Sequence, residues 1–311
     1  MATHSSKTNF EKVQEFNRAF DMAPKEPASY LAGEIDEFGR TEFNAFLHSR
    51  VNLLTEQPKL IRLRLDLIKE ELSELQAAIT ANDYIEIRDA LADILYVVYG
   101  MGDVLGINMD VLVHGLVKSY VNTTREQGLQ IFERITKYAN QDENNGRPIG
   151  LTDWNWVQLY MDLFPSTFYT SLVCEGNIER EKLIVEMMHV FNYLEELSTD
   201  VEGKASQNRF ETIGENLAKL IILDYTYSYL MDIDADADFA IVHSSNMSKL
   251  CDTEADALAT VADYEAKFQA GKSPYDSPYY YPLPELGKWI VKNKSTGKAL
   301  KNIKYQKVVF S

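Results

Sequence analysis

The chain has 311 residues, a formal net charge of −16, 9 prolines and 15 glycines. Such a length buries a substantial core in one large or two small domains, and the acidity excludes a general binder of nucleic acid or of anionic membrane. Its two cysteines, Cys174 and Cys251, provide neither a disulfide framework nor a zinc site and fit a reducing compartment.

No apolar run reaches membrane-spanning length, and the first residues lack the apolar segment of a secretion signal. A cytoplasmic protein without membrane contact is expected (nuclear where the source has a nucleus). Sparse glycine and proline, with long helical periodicities, predict an all-α fold.

In chain order, the first helix is predicted over 10–22 and carries Gln14, Phe16, Asn17 and Phe20, the two aromatics reading as core. Arg64 stands just before a second helix, on which Glu70, Glu71 and Glu74 lie within about one turn of each other. A third helix repeats the pattern with Asp89 and Asp93, and Asp93 falls in an apolar run that predicts a core-facing setting. Like charges at this spacing cost a few tenths of a kcal/mol per pair, and an unpaired buried carboxylate costs far more. No Lys or Arg follows Arg88 on that stripe, so a divalent cation with oxygen ligands is the economical counter-charge. The competing reading is a solvated acidic face in an acidic protein.

The chain then contains itself twice. Residues 87–119 align without a gap with 213–245, and flanking matches bring Glu70 opposite Glu186. The stretch 141–148 reads as the linker. The expected domains are 1–140, a first repeat with the carboxylates; 149–250, a degenerate second repeat; and 251–311, an insertion and a basic tail. Opposite Glu70, Glu71, Glu74 and Asp93 stand Glu186, Met187, Val190 and Lys219, so the second copy cannot hold the same metal. Lys219 suits a salt bridge in its place. Shared amphipathic periodicity is the alternative explanation of the match.

Further on, Asn246 and Lys249 lie one turn apart and present an amide and an ammonium suited to a sugar hydroxyl or a phosphate oxygen; the bland alternative is an ordinary helix end. An inserted helix is predicted over 254–269, then an extended loop over 275–284. After Glu285 come seven lysines (288, 292, 294, 298, 301, 304 and 307) and no acidic residue. A short hairpin is predicted there, pairing 289–291 with 299–300 across 295–297. Lys298 and Lys301 are its candidate phosphate contacts, against a solubility tail or a weak nucleic-acid contact. Gly271-Lys272-Ser273 is not a P-loop, because Ala266 stands where the motif needs glycine.

Glu-Glu-x-x-Glu at 70–74 followed by Asp-Ala-Leu-Ala-Asp at 89–93 resembles the MazG-like all-α nucleotide pyrophosphohydrolases, the superfamily of the dimeric dUTPases and phosphoribosyl-ATP pyrophosphohydrolases. The family's Glu-x-x-Asp would place Glu at position 90, which is Ala here, and Asp89 fills in one residue earlier. The segment His243 to Lys249 resembles the family's His-x-Ser-Asn-Met-Ser-Lys, and 297–301 with Tyr305 resembles its Gly-Lys-Val-Leu-Lys ending. The resemblance implies two tandem helical-bundle repeats forming a pseudo-dimer with a single composite site and a short basic hairpin. It implies Mg²⁺ (or Mn²⁺) held by Glu70, Glu71, Glu74, Asp89 and Asp93, with Glu86 an exposed helix-start residue nearby and Glu71 or Glu74 taking the proton. Gln14 and Asn17 would read the base, and Arg64, Asn246, Lys249, Lys298 and Lys301 would meet sugar or phosphate. Arg64 could instead pair with an acidic neighbour. The implied reaction is (d)NTP plus water to (d)NMP plus pyrophosphate. The alternatives are a narrow dUTP/dCTP-type pyrophosphatase or a catalytically idle nucleotide-binding scaffold; phosphoribosyl-ATP is disfavoured because the second repeat alters the site. The expected partner is a nucleotide rather than nucleic acid, bound by a monomeric pseudo-dimer or a homodimer.

Overall fold

The computed structural model describes residues 7–20, 22, 54, 57–110, 112–113, 180–199 and 207–310. Among them are seven helices: α1 (Asn9–Ala19), α2 (Pro58–Ala81), α3 (Tyr84–Leu105), α4 (Arg180–Thr199), α5 (Gln207–Leu230), α6 (Ala235–Met247) and α7 (Glu254–Gln269). Two strands follow, β1 (Pro278–Leu283) and β2 (Lys288–Asn293). The all-α expectation holds, with one two-stranded sheet added. Two compact units are present: 1–13 with 24–239, and 14–23 with 240–311. The linker at 141–148, the second copy's 157–164, Cys174 and position 120 lie outside the described residues.

In the first unit, α2 starts with Pro58 in its first turn, where a missing N–H is harmless. Ile61, Leu65, Ile68, Leu72, Leu75 and Ala78 recur at three- and four-residue spacing and are all buried. Asn82 ends the helix in the left-handed region (φ 52°), its N–H returning to Ala78 and Ile79. Two residues later α3 begins, capped by the Asp83 carboxylate, which accepts from the N–H groups of Ile85 and Glu86. So short a connection lays α2 and α3 side by side. α4 packs on α5, α4 on α2, and α5 on α3, which makes a four-helix arrangement.

α3 and α5 end alike. Gly106 takes φ 74° while the Ile107 N–H donates to the Gly102 carbonyl at 2.8 Å; Asp232 takes φ 57° while the Ile233 N–H donates to the Ser228 carbonyl at 2.8 Å. These are equivalent positions in the alignment of 87–119 with 213–245.

The second unit is built on two apolar clusters. One joins Ala19, Phe20, Leu250 and Ile290; the other joins Cys251, Ala257, Val291 and Leu300. Phe16 and Phe20 stack at 4.2 Å against the first cluster, so they are core. The inserted helix falls where the sequence places it. The hairpin is corrected: β2 pairs with β1, Tyr280 opposite Val291 and Pro282 opposite Trp289, across a turn closed by Gly287 at φ 60°. The expected partner of β2 survives as a bridge between Lys292 and Ala299. The segment read as a loop is therefore a strand, because an edge strand tolerates the prolines that suggested a loop.

Candidate active site

The five acidic residues lie along the seam where α2 packs on α3. Glu71 sits at the margin of the buried stripe of α2, three residues from Ile68 and four from Leu75, and is half-buried. Glu70 and Glu74 are exposed, while Asp89 and Asp93 on α3 are half-buried. The expected core-facing setting of Asp93 holds only in part: it is half-buried, while its neighbours Ile94 and Leu95 are fully buried. Glu86 is an exposed first-turn residue, as the sequence suggests.

Burial, and then the fields of Asp93, Glu74, Glu70 and Asp89, push the Glu71 carboxyl up to about 8. The charges that raise it are all carboxylates, so Glu71 lies amid the acidic group. Asp89 is raised by burial, then by Glu86, Glu74 and Asp238. The neighbouring cations are committed elsewhere. Arg62 and Lys69 meet Glu195 of α4 at 2.6 and 3.9 Å, and Arg88 forms a fork with Asp238.

The donor set is all hard carboxylate oxygen, the chemistry of Mg²⁺ and Mn²⁺. Asp89 Oδ1 is buried without a hydrogen-bond partner, an acceptor that a cation would satisfy. Among the described residues, no three acidic, His or Cys side chains converge in metal-holding geometry. The seam is therefore a concentrated negative field rather than a finished coordination shell. Its residues fit a divalent cation, whose charge would draw the mutually repelling carboxylates inward.

Arg64 lies away from this acidic group. It is 4% exposed on the buried stripe of α2, beside Asp103 and against Gly100, where a Cβ would come within 2.9 Å of Nη1. Of its two expected uses, the acidic neighbour is the one present.

The remaining expected residues belong to the second unit. The Lys249 ammonium donates to Asn246 Oδ1 at 2.6 Å, which confirms that the two share a face, and it lies 5.7 Å from the centre of the Phe16 ring. Gln14 is half-buried and Asn17 is 1% exposed. His243 Nε2 approaches Glu15 Oε2 at 3.8 Å. Lys298 and Lys301 are exposed over the rings of Tyr275 and Tyr305. Lys292 is instead buried, donating to the Phe20 carbonyl, and Lys304 pairs with Asp256.

Sequence reasoning missed a buried polar network in the first unit. The Asn9 amide and the Tyr225 hydroxyl both donate to Asp236 Oδ1, at 2.6 and 2.7 Å, and Lys12 donates to Asn9 Oδ1 at 3.0 Å. Burial raises Asp236 to about 7 and Asp110 to about 6. Asp110 and Asp236, like Tyr99 and Tyr225, are matched positions of the repeat, which is the signal that could have found them. Asp224, fully buried with neither oxygen partnered, had no such signal.

Residues 40–119 match the family model described as phosphoribosyl-ATP pyrophosphohydrolase, a span holding all five carboxylates. The chain belongs to the MazG-like all-α NTP pyrophosphohydrolase superfamily. The coarse activity of this MazG-like protein is accordingly pyrophosphohydrolase-type hydrolysis of nucleotides. It is similar to the uncharacterized protein L479 of Acanthamoeba polyphaga mimivirus, 31% identical over 307 residues, which cover 98% of this chain and 95% of that one. No solved structure matches. Among the described residues, no helix of this MazG-like chain is long and apolar enough to cross a membrane.

Proposed function

We propose that the chain is a Mg²⁺-dependent nucleotide pyrophosphohydrolase that converts a (d)NTP and water to (d)NMP and pyrophosphate. The observation that supports this most is Glu71, half-buried at the α2–α3 seam and surrounded in charge by Glu70, Glu74, Asp89 and Asp93. Such a field is expensive to fold unless cations enter it. Glu70, Glu71, Glu74, Asp89 and Asp93 would hold Mg²⁺, which would supply the positive charge that phosphoanhydride cleavage needs on the phosphate oxygens.

Glu71 is our choice for the group that orients the attacking water and accepts its proton, because it is the one of the three α2 carboxylates that reaches inward to a half-buried position. Glu74, exposed and one turn away in part, is the alternative. The water oxygen bonds to phosphorus, the α–β anhydride bond breaks, and its electron pair leaves with pyrophosphate. In the second unit, we assign Gln14 and Asn17 to the base, Asn246 and Lys249 to sugar or phosphate, and Lys298 and Lys301 to phosphate.

The tandem-repeat reading is supported by the matched helix ends of α3 and α5 and by the matched buried pairs Tyr99/Tyr225 and Asp110/Asp236. In the second copy, Lys219 acts on Glu186 with a charge that opposes the upward push of burial, as a built-in cation would. A nucleotide-binding protein without turnover is the second reading, favoured by the lack of a converged ligand triad among the described residues.

The test is incubation with a panel of NTPs, dNTPs and phosphoribosyl-ATP, with and without Mg²⁺, separating pyrophosphate from orthophosphate. Pyrophosphate formed only with Mg²⁺, and reduced at least about a hundredfold in Glu74→Gln, is the expected result. Metal-dependent nucleotide binding without any product would replace this reading by the second one.

A further inference from the structure

Arg88 immediately precedes Asp89 in sequence, yet its guanidinium is turned to Asp238. Nε donates to Oδ2 at 2.8 Å and Nη2 to Oδ1 at 2.6 Å, a bidentate fork with the two side chains 15% and 2% exposed. Tyr84 adds a ring face 6.0 Å from the guanidinium carbon. Asp238 is fixed in turn: it lies in the first turn of α6, where the helix dipole favours a carboxylate, and its N–H donates to the Asp234 carbonyl at 3.0 Å.

The pair is one-sided. In the alignment of the two halves, Arg88 falls opposite Gly214 and Asp238 opposite Leu112. Arg88 of the first repeat and Asp238 of the second thus pair beside the acidic cluster, and the matched positions, Gly214 and Leu112, hold no such pair.

We infer that Asp238 is a positioning residue whose fork with Arg88 keeps that guanidinium off the Glu71–Asp89 cluster, leaving the cluster's negative charge to a divalent cation. This rests on the metal-binding reading proposed above. A tethered guanidinium competes with a dissolved ion at very high effective concentration, so an acidic site with Arg88 beside it needs that cation engaged elsewhere. A buried bidentate ion pair does this well, because breaking it strands two charges.

The experiment is Mn²⁺ binding by the full chain, read from the paramagnetic resonance of free Mn²⁺ at pH 8. The proteins are wild type, Asp238→Asn, and Arg88→Gln/Asp238→Asn, each first shown folded by its thermal melt. Asp238→Asn should weaken Mn²⁺ binding about tenfold or more, by loss of one nearby anion and release of one cation. The double variant, with no guanidinium to release, should recover most of that loss. If Asp238→Asn does not fold, Asp238→Ser, which leaves no buried amide, serves the same comparison. Equal affinity in wild type and Asp238→Asn overturns the inference while the metal reading stands, as does a double variant as weak as the single one. A wild type that binds no Mn²⁺ overturns both.

Discussion

Glu71 shows how much one residue's position adds to its spacing. Helical periodicity alone brings Glu70, Glu71 and Glu74 together, but it does not say which of them reaches inward. Packing decides that, because Glu71 shares the margin of the stripe with Ile68 and Leu75 while the other two point to water. Raised from 4.5 to about 8, Glu71 binds a proton more tightly in the folded chain than in the unfolded one. Its contribution to stability is therefore fully present below its ordinary value and is lost as pH rises through about 8. Asp110 and Asp236, raised to about 6 and about 7, act with the same sign. The metal-free protein should melt at progressively lower temperature as pH is raised across this window. In Glu71→Gln the upper part of that slope should flatten, and the variant should melt above wild type at pH 8 in chelator. Thermal melts across the pH series check both. Arg64 illustrates what spacing could not supply: its place before the acidic helix suggested phosphate, and only the stripe of α2 shows that it faces Asp103 inside the bundle.

At the scale of elements, α2, α3 and α7 were legible because their apolar periodicity and caps agree. Leu72 stands at the centre of the α2 stripe with no exposed surface. Leu72→Ala should destabilise the protein by about 2–5 kcal/mol in urea unfolding. The hairpin was half legible. Trp289, Ile290 and Val291 announce a strand, but Pro278, Pro282 and Pro284 argued against its main partner, and the turn at 295–297 pointed to the lesser one, which keeps the Lys292–Ala299 bridge. Equally hidden was the anchoring of the chain's last residues. The Ser245 hydroxyl donates to the Gln306 carbonyl at 2.8 Å and lies 3.0 Å from the Tyr305 hydroxyl, while the Gln306 N–H donates to the Ser248 hydroxyl at 2.9 Å. The serines flanking Asn246 thus hold the tail that carries Lys301. Ser245→Ala should cost about 1 kcal/mol and speed proteolytic cleavage beyond residue 300, as followed by mass spectrometry.

The whole molecule divides its charge. The chain is acidic at −16, yet its last stretch, after Glu285, carries seven lysines and no carboxylate. The likeness to the mimiviral protein runs through both units, since it covers 98% of the chain. Family membership was legible from a handful of acidic residues at fixed spacing. The division at 14–23 and 240–311 was not, because it joins the end of α1 to distant sequence through side-chain packing that no local pattern encodes. If cations belong to the folded chain, Mg²⁺ at a hundred times its dissociation constant should stabilise it by about 2.7 kcal/mol, seen as a raised melting temperature that Glu71→Gln/Glu74→Gln lacks.

The most direct measurement is calorimetric titration of Mg²⁺ into metal-free protein at pH 7, run in two buffers of different ionisation enthalpy. Saturable binding that expels protons, and that disappears in Glu71→Gln/Glu74→Gln, is expected if the carboxylates of α2 and α3 receive the ion. No binding heat, or binding that survives in the double variant, would contradict it.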